Sequence, residues 1–374
     1  MGSRLLNSLN RLTSTASPKP AKPIARVMLR EHTEKANPAL YRLSRDAVLR
    51  LGLTGGELDI ERCAFIDTET TGLSGGAGTV AFLVGVGFVK DGLLTVRQFI
   101  MPDYSAEEDL LAALAETLAP FDTVVHFNGK RFDMPLLKTR FIMKRLEYKW
   151  RDLEELDLLY PARRVWKLRL GCCKLSYLEE MIFNAPRGHD IPGSEIPQRY
   201  FDSVKTGDKS LLDDVIEHNR QDIVTLTALL VKLNALYSKP ESAGEQLDIF
   251  SLGKAFENLG EKQTARRLYT LAGAPRAINT VSDLRGNKYA GEANYRLYRL
   301  MLRSGEYDKC EQLLNTMLRR QQMGDLPRIE LSKLYEHRLK RMRDALDIIE
   351  PVPEDEELTK RKKRLKTKLI KNGG

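Results

Sequence analysis

Cysteine and histidine are scarce in this chain, with four and five among 374 residues. No two of Cys63, Cys172, Cys173 and Cys310 stand in a C-x-x-C spacing beside a histidine pair, which argues against a zinc finger. So low a count in a chain of this length also excludes a disulfide framework, and a reducing, cytoplasmic setting is expected. Long apolar runs are missing as well. The longest uncharged stretch, Thr70 to Val89, has twenty residues, but six are glycine and four are Ser or Thr. Only Val80 to Val89 is persistently apolar, which suits a buried strand rather than a membrane span. The opening MGSRLLNSLNRL has no continuous apolar core, so neither a secretory signal nor a membrane attachment is expected.

Hydrophobic residues make up 42% and charged residues 30%, values of a globular protein rather than a disordered or collagen-like one. At the usual ~150 residues per domain, two or three domains are expected. The net charge of +9 lies entirely at the two ends. Residues 1–60 hold 10 basic and 5 acidic side chains, residues 351–374 hold 8 and 4, and residues 61–237 hold 22 and 26. A slightly acidic middle grips phosphates poorly unless some of its carboxylates hold cations. In the tail, Glu354 to Glu357 precede a run from Lys360 to Lys368, an order that suits an exposed helix complementing its own dipole or an arm for nucleic acid.

The proline-spaced SPKPAKP at 17–23 reads as an extended linker. Strands are expected at 62–67, 80–89 and 94–101, with a turn at Asp91-Gly92, and again at 123–127. Helices are expected at 107–118, 134–145, 175–181 and 211–236, giving a mixed α/β layer. Beyond Gln246 the strand signal ends. The segments starting at Gly260, Gly305 and Lys340 align without gaps, with Ala265, Cys310 and Ala345 at equivalent positions. Their spacings of 45 and 35 residues predict stacked helical hairpins similar to tetratricopeptide (TPR) repeats. The expected division is therefore 1–60, a basic, partly disordered extension and linker; 61–237, the α/β domain; 238–350, helical repeats; and 351–374, a basic tail.

Three short patterns carry chemistry. Asp67 and Glu69, in F-I-D-T-E-T, are two apart at the end of an apolar strand and so share a face. Asp133, in N-G-K-R-F-D, opens a helix after a strand, where it could also be an N-cap. His218 and Asp222 are four apart on a helix and share a face, as ordinary surface pairs also do.

Together the three resemble the motifs of the DEDD superfamily of 3′→5′ exonucleases, F-x-D-x-E-T, N-x₃-F-D and a Tyr or His shortly before an Asp, in matching order. The resemblance spans about Cys63 to Leu236 and implies a ribonuclease-H-like sheet flanked by helices. The following KLSYLEEMIFNAPRGHDIPGSEIPQRY, succeeded by helical repeats, resembles the bacterial YprB-like branch. Superfamily members with a histidine place it five residues before the last Asp and those with a tyrosine four; His218 stands at the tyrosine spacing.

The resemblance implies phosphodiester hydrolysis with two divalent cations, and hard oxygen ligands without thiolates imply Mg²⁺ or Mn²⁺. Asp67, Glu69, Asp133 and Asp222 would be the ligands, with Asp67 bridging, and His218 the proton acceptor. Thr70 and Leu73 would meet the terminal nucleotide. Asn128, Lys130 and Arg131, and the cluster Arg163, Arg164, Lys167 and Arg169, could reach phosphates. The implied partner is DNA or RNA with a single-stranded 3′ end, and the repeats could hold a protein. The competing reading is a catalytically inactive scaffold of the same fold that binds nucleic acid or a protein.

Overall fold

A computed structural model describes residues 27–53, 58–72, 78–147, 153–188, 190–275, 281–353 and 356–371, with the backbone alone for 281–287 and 371. Leu73 and the whole of the linker at 17–23 lie outside these residues.

A six-stranded sheet carries the first half of the chain: β1 (Met28–Lys35), β2 (Cys63–Thr70), β3 (Ala81–Lys90), β4 (Leu93–Ile100), β5 (Thr123–His126) and β6 (Glu154–Asp157), in the order β1-β4-β3-β2-β5-β6. The pairs β1/β4, β4/β3 and β3/β2 are antiparallel, whereas β2/β5 and β5/β6 are parallel. The Asp91-Gly92 turn joins β3 to β4 with positive φ at both residues, 49° and 79°. That backbone matches the right-handed twist of a two-residue hairpin, and Gly tolerates it freely. Alternation along the strands gives the sheet two apolar faces. Phe65, Val96 and Val125 face one core, and Ala64, Ile66, Val84, Val86 and Val124 the other.

The second face is covered by α2 (Glu107–Leu118), whose Leu110, Leu111, Leu114 and Leu118 are buried as their spacing predicts, and by α3 (Asp133–Lys144). The first face is crossed by the long helix from Asp213 to Ser238. In chain order the other helices are α1 (Arg45–Leu51), α4 (Leu159–Leu170), α5 (Leu175–Phe183) and α6 (Ile196–Thr206), so the long helix is α7. Twenty-six residues make it ~39 Å long. Its first half lies over β2, β3 and β4, while its second half buries Leu226, Leu229, Leu230, Leu233 and Tyr237. The close approach depends on two glycines in β3. A Cβ on Gly87 would stand 2.3 Å from Ile223 of α7, and one on Gly85 would stand 2.2 Å from Asn219.

The helix-rich second half follows as α8 (Gln246–Asn258), α9 (Lys262–Ala272), α10 (Val281–Arg303), α11 (Tyr307–Arg319), α12 (Leu326–Leu334) with a π turn at Tyr335–Leu339, α13 (Met342–Asp347) and α14 (Glu356–Lys371). The aligned segments share one geometry. Gly260, Gly305 and Lys340 all have left-handed φ (81°, 76° and 60°), and the fifth positions Ala265, Cys310 and Ala345 are fully buried. One apolar core runs without interruption from Phe65 and Leu156 through Leu233 to Phe250, Leu268 and Leu297. The Arg169–Asp248 ion pair, with both N–H···O distances at 2.9 Å, joins α4 to α8 across the same boundary.

Two stretches differ from the sequence expectation. Residues 28–35, expected within an extension, form an edge strand whose alternation is invisible because five successive side chains, 29–33, are exposed. The basic tail is helical but not a free arm. Arg361, Arg364 and Lys368 of α14 converge at 2.8 Å on Glu336, whose side chain is fully buried, while Leu358 and Leu365 join the core beneath. Burial disfavours the Glu336 charge, but the hydrogen bonds from Lys368 and Arg364 and the charge of Arg361 outweigh it and hold its pKa at about 2.

Candidate active site

Apolar Phe65 and Ile66 anchor β2 in the two cores, and the strand then presents Asp67 and Glu69 on the face that α7 crosses. Asn219 of α7 fixes the first of them. Its side-chain amide, fully buried, donates to Asp67 Oδ2 at 2.8 Å, and its carbonyl oxygen accepts from Gln98 of β4 at 2.9 Å. That hydrogen bond, from a fully buried donor, holds Asp67 in one orientation.

Asp133 is the first residue of α3 and caps nothing. Its carboxylate accepts instead from the hydroxyl of Thr68, which links the opening of α3 to β2. From α7, His218 directs Nε2 toward Glu69 Oε1 at 3.9 Å and Asp222 Oδ2 at 3.5 Å. The structure thus brings together all five residues expected at the centre: Asp67, Glu69, Asp133, His218 and Asp222.

Desolvation comes first among the effects that raise the Asp67 carboxyl well above the ordinary range; the neighbouring charges of Asp222, Glu69 and Asp133 add to it, and Asn219 opposes it. Glu69 is raised well above its ordinary value by burial and then by Asp222, Asp133 and Asp190, with Arg187 opposing. Asp133 is raised by burial, against the Thr68 hydrogen bond. Burial thus makes the charged form of each of these three acids costly.

Two residues that the motifs do not include complete the surroundings. Arg187, on the chain between α5 and α6, is nearly buried; it donates to Glu179 at 2.6 Å and to Asp222 Oδ1, and its guanidinium lies 3.2 Å from His218 Nδ1. Asp190 makes a short hydrogen bond with the same His218 nitrogen. Both lie in a Pro- and Gly-rich stretch with no periodicity, and their only signal was the segment 174–200 as a whole. A cavity of about 490 Å³, lined by Lys174, Ser176, Asp190, Ser194, His218 and Asp222, opens beside the cluster.

The outer predictions divide. Thr70 turns its hydroxyl to Gly72 O at 2.9 Å. Asn128, with φ of 68°, and Lys130 donate their backbone amides to Asp157, while the side chains of Lys130 and Arg131 are exposed. Arg169 is committed to Asp248, which separates it from Arg163, Arg164 and Lys167.

Among the described residues no three His, Cys, Asp or Glu side chains are already arranged to hold a metal ion. Arg187 occupies Asp222 Oδ1 and Thr68 occupies Asp133 Oδ1. The donor chemistry nevertheless fits a hard divalent cation, since four carboxylates converge, three are destabilised as anions by burial, and two of these, Asp67 and Glu69, also by neighbouring carboxylates of the cluster.

A mixed sheet with three parallel strands beside an antiparallel meander, crossed by a long helix, is an RNase H-like fold, and the RNase_H superfamily (RNase_H_2) matches residues 64–234. Within it the chain belongs to the family of the protein YprB of Bacillus subtilis (strain 168), with 30% identity over 293 residues that cover 76% of this chain and 68% of YprB. The family B DNA polymerase from the hyperthermophilic archaeon Pyrobaculum calidifontis is similar over 65% of this chain and 30% of its own, with a TM-score of 0.37 and 13% identity, too slight a likeness to argue from. RNase H-like domains are typically nucleases that use divalent metal ions.

Proposed function

We propose that this protein hydrolyses nucleic-acid phosphodiester bonds as a divalent-cation-dependent 3′→5′ exonuclease of DEDD type. One observation carries the reading: β2, α3 and α7 bring Asp67, Glu69, Asp133 and Asp222 to one place, with the His218 imidazole at the rim. Asp67, Glu69 and Asp222 would hold one cation and Asp67 with Asp133 the second, Mg²⁺ or Mn²⁺ suiting oxygen donors without thiolates. When bound, two such ions supply Lewis acidity to the phosphoryl group and to the entering and leaving oxygens.

The chain's own residues supply the rest. With Nδ1 donating to Asp190, the free Nε2 of His218 faces Glu69 and Asp222 and can take the proton of an attacking water. Asn219 keeps Asp67 Oδ2 bonded and leaves Oδ1 for a cation. Arg187 holds Asp222 by Oδ1 and leaves Oδ2 on the imidazole side. Thr70, Asn128, Lys130 and Arg131, which edge the cluster in sequence, are proposed to steady the strand. The division at 237/238 is proposed as functional, with the TPR-like hairpins serving a protein partner. Reduced thiols fit a cytoplasmic setting.

The scaffold reading draws on the Arg187–Asp222 pair, which already neutralises part of the cluster. Digestion of 5′- and 3′-labelled single-stranded DNA, duplex DNA and RNA in Mg²⁺ and Mn²⁺ separates the two. Stepwise mononucleotide release from 3′ ends supports the exonuclease. Internal fragments refute the exonuclease mode, and intact substrate in every cation supports the scaffold.

A further inference from the structure

The carboxylate site leaves the cations of α4 unexplained. Arg163, Arg164 and Lys167 of α4 line one open cavity of about 480 Å³ together with Lys254 of α8, and Ser251 and Asn258 add polar groups. No carboxylate lines it, and all four cations are exposed. Among the described residues none of the four forms an ion pair. Neighbouring arginines are committed to carboxylates, as with Arg169 on Asp248 and Arg50 on Glu261. Arg163 and Lys167 stand four apart on the helix, where like charges repel by ~0.2–0.5 kcal/mol. Their neighbours do not neutralise them: Lys167 donates to the neutral carbonyl of Gly171, Arg164 faces the Tyr237 hydroxyl, and Lys254 lies 5.7 Å from the Phe250 ring centre. A concave surface with four unneutralised cations gathers anions.

The cavity also lies close to the carboxylates along the chain. Gly171 lines this cavity, and Lys174 lines the one that His218 and Asp222 face. Three residues span at most ~11 Å, so at this point the two cavities lie within reach of one short stretch of a nucleic-acid strand.

We infer that the Arg163–Arg164–Lys167–Lys254 cavity binds the sugar-phosphate backbone of the nucleic-acid strand, a few nucleotides from the end presented to the carboxylates. The inference rests on the hydrolase reading and names where that site grips its substrate. No aromatic side chain lines the cavity, so it positions phosphates and does not stack or read bases.

The test is fluorescence anisotropy of 20-nucleotide single-stranded DNA and RNA with the full chain, in chelator to prevent cleavage, across 50 to 200 mM salt. The variant R163Q/K167Q/K254Q should flatten the log-log salt slope by up to ~2, at ~0.7 for each single-strand phosphate that is no longer neutralised. The loss should be equal for oligonucleotides of different sequence, with an unchanged melting temperature. The variant K360Q, which breaks only an exposed pair with Glu356, should leave the slope as in wild type. Titration with a nucleoside 5′-monophosphate distinguishes a small-anion site: binding lost in the triple variant while the oligonucleotide slope persists overturns the strand assignment. If wild type hydrolyses nucleic acid but the natively folded triple variant keeps its slope, the cavity assignment falls and the hydrolase reading stands. If the slope flattens but no cation supports hydrolysis, the cavity stands and the hydrolase reading falls. If wild type binds no oligonucleotide, both fall.

Discussion

Replacing Glu69 with Gln should make the metal-free protein more stable and its response to cations weaker. Glu69 Oε1 and Asp222 Oδ2 stand 3.9 and 3.5 Å from one imidazole nitrogen, which limits their separation to about 7.4 Å. At an effective dielectric of ~20, two unit charges at that distance repel by about 2 kcal/mol. Burial and Asp133 add to this, while Arg187 subtracts. Gln resembles the protonated form that the folded state favours, so relief of up to about 2 kcal/mol is expected at neutral pH, which at ~2–4 °C per kcal/mol raises the melting temperature by several degrees. The sign of the pH effect follows from the raised carboxyl. Unfolded Glu titrates near ~4.3, so the destabilisation due to Glu69 is absent below that value and grows as pH climbs toward the higher folded pKa. E69Q should flatten that growth. Differential scanning calorimetry from pH 4 to 8, with and without Mn²⁺, reads both effects. Saturation at ~100 times Kd adds ~2.7 kcal/mol to wild type and should add clearly less to E69Q. An E69Q protein that is no more stable without metal and gains as much from Mn²⁺ as wild type would refute the cluster as a cation site.

Other consequences can be checked separately. His218→Ala should lose ~10²- to 10⁴-fold in turnover while still binding Mn²⁺, and His218→Tyr should retain part of the activity with a shifted acid limb; wild-type rates in H218A across the pH range would make the imidazole a bystander. Gly85→Ala drives a methyl into the fully buried Asn219 side chain, so a loss of ~1–3 kcal/mol is expected with weaker Mn²⁺ binding through the dislodged Asp67, measured by calorimetric melting and titration. Glu336→Gln strips the counter-charge from Arg361, Arg364 and Lys368. It should cost up to about 3 kcal/mol, the low end for a broken buried pair because Arg364 and Lys368 are about half exposed, and it should speed tryptic cleavage within α14 without changing nuclease rates. In wild type that pairing should persist above the usual Glu range and fail as pH falls toward about 2.

The sheet and its long helix were legible because each leaves a periodic trace. Apolar β2 and β3, the Asp91-Gly92 turn, the leucines of α2 and the expected 211–236 helix all appear within a few residues of their expected ends. Strand β1 was not legible, since an edge strand exposed along most of its length has no apolar alternation. Strand β6 is four residues, EELD, too short for a period, and α4 and α6 carry Pro161 and Pro197 near their starts, which reads as loop. The four carboxylates and His218 could be found from motif order alone. Arg187, Asp190 and Asn219 could not, because their partners lie up to 152 residues away and only folding makes them neighbours. The tail's charge was misleading for the same reason: Glu336, on which three of its cations converge, sits in another helical segment.

The most direct measurement is the rate of mononucleotide release from a 3′-ended oligonucleotide as Mn²⁺ is raised from a chelated baseline, for wild type and Asp222→Asn. Wild type should be silent in chelator and rise with a dependence on more than one cation, whereas D222N should be silent at every concentration while retaining the native circular dichroism spectrum. Cleavage by wild type in chelator, or by D222N at the wild-type rate, would contradict the assignment of hydrolysis to the carboxylate cluster.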